Sequence, residues 1–199
     1  MRPNPLSDAV HFLTQPGWFT PVFWLLLATS IVIAALVWRR EPTQRLGRNL
    51  GIWGLRVLMG AMWWQQSLWK IPPNYAGLQF WMQQEADHAA VALQAWLVRD
   101  IVLPNITFFG PLVYLVEVAI GVSLLLGLFC RAGAFLGLLM GINLWLGLYS
   151  AEGEWPWTYM FLVMIQAWFV LDPPGRVLGA DVLLRLRRSQ PSAVLSWVN

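Results

Sequence analysis

From Trp18 to Trp38 the chain is almost continuously apolar, and it then breaks into the basic stretch RREPTQRLGR. Four further apolar runs follow, from about Leu50 to Trp69, Phe108 to Phe129, Ala132 to Tyr149 and Trp157 to Leu171. A helix needs roughly 20 apolar residues to cross about 30 Å of hydrocarbon, and the runs approach that length. The pattern therefore predicts an all-α integral membrane protein with five transmembrane helices. The basic residues that follow the first run, instead of preceding it, make that run a retained anchor and not a cleavable signal.

One connection is too long for a hairpin. The segment from Lys70 to Asn105 opens with Pro72 and Pro73, which stop the second helix, and then places Leu78, Trp81, Met82, Ala86, Ala89, Leu93, Trp96 and Leu97 at helical spacing among Gln, Glu and Asp. This is the pattern of an amphipathic helix. It suits a helix lying on the outer membrane surface and equally a cap packed over the bundle, and in either place it is a lid.

Composition agrees with a lipid setting: 58% of the 199 residues are hydrophobic and 12% are charged, with a mean hydropathy of +0.56. The net charge of +3 reflects topology more than nucleic-acid binding, because the arginines sit at the ends of apolar runs. Arg39, Arg40, Arg45, Arg48, Arg131, Arg176, Arg185, Arg187 and Arg188 fall on one side of a five-span layout, and Arg2, Lys70 and Arg99 with most of the acids on the other. The positive-inside rule then puts the N-terminus outside and the C-terminus in the cytoplasm of a cell (inner) membrane. The single cysteine, Cys130, excludes an intramolecular disulfide and dithiol chemistry. His11 and His88 both fall outside the spans, so no haem or metal is expected.

Four polar side chains interrupt four different spans. Glu117 and Asn143 lie near mid-depth, Arg56 and Gln166 nearer the cytoplasmic end. Charges facing lipid are costly, so these groups should converge inside the bundle. At about 1.5 Å rise per residue, Arg56 is predicted to reach Glu117, with Asn143 close by, as the polar floor of a pocket. Such a pair can equally serve to pin helices together. Gly133, Gly137 and Gly141 recur at four-residue spacing and allow close helix approach.

Tryptophan is unusually dense in AMWWQQSLWK, and EGEWPWTY opens the fifth run on the same side. Many of the fourteen tryptophans serve as interface anchors. Flat aromatic walls with a few amide donors also suit a planar amphipathic ligand such as a quinone head group. On that reading Trp64, Trp69, Trp155, Trp157 and Tyr159 form the outer wall of the site, and Lys70 and Arg99 attract an anionic substrate at the outer surface.

The stretches GLRVLMGAMWWQQSLWKIP, LPNITFFGPLVYLVEVAIGVSLLLGLFCRAGAFLGLLMGINLWLGL and GEWPWTYMFLVMIQAWFVLDPPGRVLGAD resemble the DoxX/DoxD superfamily of small four-helix membrane proteins. The long outer segment and GEWPWTY are most similar to the DoxD-like branch, the small subunit of thiosulfate:quinone oxidoreductase. The resemblance implies a four-helix membrane domain over residues 48–182 with its outer loop at 70–105. An extra anchor helix and basic loop at 1–47 would precede it, and a basic tail at 183–199 would follow. It implies a membrane subunit that passes electrons from thiosulfate or a related reduced sulfur compound to quinone. Arg56, Lys70, Glu117, Arg131, Arg176 and Asp181 are the matching residues, and Glu117 with Arg56 is assigned the role of proton-handling or quinone-orienting pair. No dithiol, haem pair or flavin signature accompanies them, so a second subunit or larger membrane complex is implied as carrier of any redox centre. The alternative is a non-catalytic anchoring or assembly subunit, which the glycine-spaced fourth span and the abundant aromatic surface also fit.

Overall fold

We describe residues 4–187 of a computed structural model. All regular elements among them are helical. A short α1 (Pro5–Thr14) starts where Asn4 Oδ1 accepts from the Leu6 N–H at 3.0 Å and Pro5 presets the first turn. The five apolar runs become α2 (Phe19–Arg40), α3 (Gly47–Ser67), α6 (Ile106–Leu126), α7 (Cys130–Gly147) and α8 (Pro156–Leu171). The long connection carries α4 (Ala76–His88) and α5 (Ala92–Trp96), and α9 (Ala180–Leu186) closes the described chain.

By length and composition, three segments can cross a membrane: Phe19–Arg40, Ala92–Leu126 and Cys130–Gly147. At 21 residues α3 is long enough, but it carries Arg48, Asn49, Arg56, Gln65 and Gln66. The apolar helix α8 is shorter, at 16 residues. The surface supports a lipid setting. Large apolar side chains such as Leu58 and Trp168 are 67% and 62% exposed, whereas Arg56 and Gln166 are wholly buried, the reverse of a water-soluble domain.

The bundle is two tight pairs, α3 with α6 and α7 with α8, joined through α6 and α7. Glycines set the approach. A Cβ on Gly60 of α3 would stand 2.7 Å from the Leu125 nitrogen, and one on Gly121 of α6 would stand 3.0 Å from the Trp64 nitrogen, so the two backbones touch. The α7 glycines are used inside the chain: Gly133 faces Ser123 of α6, while Gly137 and Gly141 face Gln166 and Val163 of α8. They offer no free docking stripe to a partner. Helix α2 lies outside the pairs, its Phe23 packed with Trp64 and Leu125.

The 70–105 connection is a packed cap. Leu78, Met82 and Ala86 of α4 bury against Val98 and Ile106. Tyr75 occupies the space left by Gly110 of α6, where a Cβ would come within 2.6 Å of its ring. The cap is tied to the end of α7 by Ala90 N–H to Leu146 O at 2.8 Å and by Ser150 Oγ to the His88 carbonyl at 3.0 Å. After α5 the helix widens into a π-helical turn, Leu97–Val102, and tightens into a 3-10 turn, Leu103–Asn105, before α6 begins. Pro104 lacks the N–H that a continuous helix would use there.

Candidate functional site

Two polar clusters sit at opposite ends of the bundle, and the expected Arg56–Glu117 pair does not form, because each residue belongs to a different cluster. Arg56 lies at the tail end, donating from Nη1 to the Leu124 carbonyl at 3.1 Å and from Nη2 to the Leu178 carbonyl at 3.3 Å. Leu124 is seven residues beyond Glu117 on α6, about 10 Å of helix rise. Glu117 instead forms a buried ion pair with Lys70, at the end of the bundle that carries the cap. Rise alone had placed Arg56 within reach. Its guanidinium is drawn the other way by carbonyls freed where α6 ends and the chain turns.

That turn explains several of the residues matched in the DoxX/DoxD resemblance. Helix α6 stops at Gly127, with φ +68°. A Cβ there would collide with Arg56 Nη1 and stand 2.6 Å from the Gly179 Cα, so glycine is needed for conformation and for space. Asp181 accepts from the Phe129 and Cys130 N–H groups at 2.7 and 3.1 Å, capping the start of α7. Arg131 donates from Nε to the Val170 carbonyl at 3.1 Å, tying α7 to α8. Arg56, Arg131 and Asp181 therefore lock the tail end together, and Arg176 lies in the 3-10 turn of the same region.

At the other end a cavity of about 600 Å³ opens between α3, α6, α7 and α8 under the cap. Lys70, Glu117, Glu85 and Asn143 supply its polar lining with Gln66, Glu154, Thr158 and Tyr159. Trp63, Trp69 and Trp81 line its walls. Lys70 Nζ also lies 4.4 Å from the centre of the Trp69 ring, a cation–π contact that orients it. Asn143 donates to Glu85 Oε2 at 3.0 Å and accepts from Gln94 Nε2 at 3.0 Å, which couples the cap to α7. Room for this contact comes from Gly147, where a Cβ would approach Glu85 Cγ to 2.9 Å. Burial pushes the Glu85 carboxyl up to about 7, although the Asn143 hydrogen bond and the Lys70 charge oppose the rise. Tyr159 donates its hydroxyl to Glu154 Oε2 at 2.8 Å. Two buried atoms of lining residues have no partner, Glu117 Oε2 and Trp63 Nε1.

Of the residues expected at the site, the cavity gathers Glu117, Lys70, Trp69, Asn143 and Tyr159. The others are elsewhere. Trp64 turns to the opposite side of α3 and packs with Phe23 and Leu125. Trp155 and Trp157 are more than half exposed and pack around Phe161 on the outside of α8. Arg99 is held at the surface by Asp87 Oδ1 at 2.9 Å and the Ala86 carbonyl at 3.0 Å. Glu85, Trp63 and Glu154 were missed as site residues. Glu85 had a signal: it follows Leu78 by seven residues, so it falls on the buried face of an otherwise amphipathic helix. Among the described residues no group of three or more His, Cys, Asp and Glu is placed to hold a metal ion.

Compared with known protein-family models, curated proteins and solved structures, the chain matches none.

Proposed function

We propose that this chain is the membrane subunit of a quinone-linked oxidoreductase of the DoxX/DoxD type, serving the oxidation of thiosulfate or a related reduced sulfur compound. The cavity beneath the cap carries the proposal. It has the volume of a small-molecule site, aromatic walls, and several polar groups in its lining. A quinone ring gains two electrons and two protons, one at each carbonyl oxygen, while the sulfur compound gives up the two electrons. Glu85, near neutrality in its affinity for protons, suits proton exchange. The Lys70–Glu117 pair provides a donor and an acceptor in the lining of the same space. Purification in mild detergent should bring down about one quinone per chain, and a short-chain quinone added to stripped protein should quench tryptophan fluorescence saturably. A chain that holds no quinone and travels in a tight complex with a larger partner is instead an anchoring subunit.

The proposed setting is the inner membrane, crossed five times, with α3 and α8 spanning as members of the bundle. Asn49, Arg56 and Gln166 turn inward, where neighbouring helices cover them, while Arg48, Gln65 and Gln66 are exposed near the ends of α3. The distribution of arginines sets the cap and cavity outside and the Arg56–Asp181 lock on the cytoplasmic side. A cysteine placed at the exposed Ala76 is expected to react with an impermeant thiol reagent in intact spheroplasts, against a background kept low by the burial of Cys130. Labelling only after the membrane is broken would invert the orientation.

A further inference from the structure

Two substrates of opposite character belong to the proposed reaction, a charged sulfur oxyanion and an uncharged ring, and the side chains under the cap discriminate between them. Among the described residues Lys70 is the one basic side chain lining the cavity, and it is already paired with Glu117. Glu85 and Glu154 line the same space and are held by the neutral donors Asn143 and Tyr159. Three carboxyl groups thus face one ammonium, and with Glu85 only partly ionised near neutrality the lining still carries a net negative charge. Arg99, the other cation expected to gather anions, is ion-paired to Asp87 and does not line the cavity. In a partly desolvated space such repulsion is far less screened than at an open surface.

The unfilled hydrogen-bonding groups point the same way. Glu117 Oε2 lacks a donor, and Glu117 is only 2% exposed. Thiosulfate at neutral pH has acceptors and no proton to offer, so it leaves that oxygen unsatisfied and adds charge beside it. A ring hydroxyl both donates and accepts; Glu117 Oε2 and Trp63 Nε1 are closed off as the side chains stand, and a rotation of either side chain would bring it to such a hydroxyl. We propose that the cavity binds the uncharged ring, most tightly in its hydroxyl-bearing reduced form, and is closed to the sulfur oxyanion; the oxyanion is oxidised outside it, and its electrons reach the ring through a redox centre carried by a second subunit. The proposal rests on the quinone reading and names which of the two substrates this site takes. Preference for the reduced ring also favours electron arrival: each tenfold in affinity over the oxidised ring raises the potential of the bound two-electron couple by about 30 mV.

The test is a titration of the full chain in nanodiscs of uncharged lipid, read by tryptophan fluorescence, with a short-chain quinol and its quinone as probes and sodium thiosulfate as competitor. Sodium sulfate at matched ionic strength is the control. The expected result is saturable binding, quinol about tenfold tighter than quinone, with an apparent Kd that millimolar thiosulfate leaves within twofold. In Glu85→Gln/Glu154→Gln thiosulfate is expected to compete, weakening by at least fivefold whatever ring affinity that variant shows without it. Should the double variant fail to fold, Glu154→Gln alone gives the same comparison with a smaller change. Competition by thiosulfate in the unaltered chain overturns the proposal and leaves the quinone reading standing, as does a double variant as closed to thiosulfate as the parent. Quinone binding as tight as quinol removes the preference for the reduced ring. Absence of ring binding throughout overturns the quinone reading and this inference with it.

Discussion

Lys70→Met is expected to destabilise the folded chain by about 3–5 kcal/mol, because it strands a carboxylate inside the bundle. Glu117 is 2% exposed and Lys70 7%, and among the described residues each is the other's only salt-bridge partner. The loss should appear as a lower unfolding midpoint in detergent. Lys70→Met/Glu117→Leu should recover most of it, since a buried ion pair replaced by apolar groups of similar size is often neutral or stabilising. Ring binding separates structure from function. If the pair serves the ligand, the double variant is stable yet loses at least tenfold in quinol affinity. Affinity retained within twofold would show that the pair only pins the second span and its extension to α6. A double variant no more stable than the single would remove the ion pair as the source of the loss.

Gly60→Val is expected to abolish the folded bundle or cost it several kcal/mol, beyond the roughly 1–3 kcal/mol usual for overpacking. The new Cβ would meet the Leu125 nitrogen at 2.7 Å and the Gly121 carbonyl oxygen at 3.0 Å, which are backbone atoms that yield only if α3 and α6 separate. Separation would also pull Arg56 from the Leu124 carbonyl. Gly54→Ala on the same helix is the control. Nothing lies within 4 Å of the Cβ it adds, so it should leave stability unchanged or raise it by up to about 1 kcal/mol through helix propensity. Detergent-extracted yield and unfolding midpoint of the two variants report the contrast. Equal behaviour would mean that the α3–α6 contact is not as close as the glycines indicate.

The helices were legible in the chain because their cause is local. The apolar runs and turn residues marked α2, α3, α6, α7 and α8 with ends shifted by up to about three residues from those observed. The proline pair and the repeat of Leu78, Met82 and Ala86 likewise marked α4, but the same repeat carried the helix on through Leu93, Trp96 and Leu97, whereas the chain breaks at 89–91 and leaves those three exposed. Burial of Arg56, Glu117 and Gln166 away from lipid followed from the cost of exposing them. Which groups would meet did not follow. Trp63 and Trp64 are neighbours in the chain, yet a turn of about 100° per residue sends one toward the cavity and the other toward α2. Lys70 read as a surface cation because it lies beyond the last tryptophan of its run. It is buried because the cap folds over it. Arg56 and Glu117 were matched by depth, but depth along a helix axis says nothing of rotation about it or of competing carbonyls where another helix ends. Spacing along the chain therefore determined the elements and their buried faces. Only the closing of the cap and the turn after α6, both made by contacts between residues far apart in the chain, decided which charge met which.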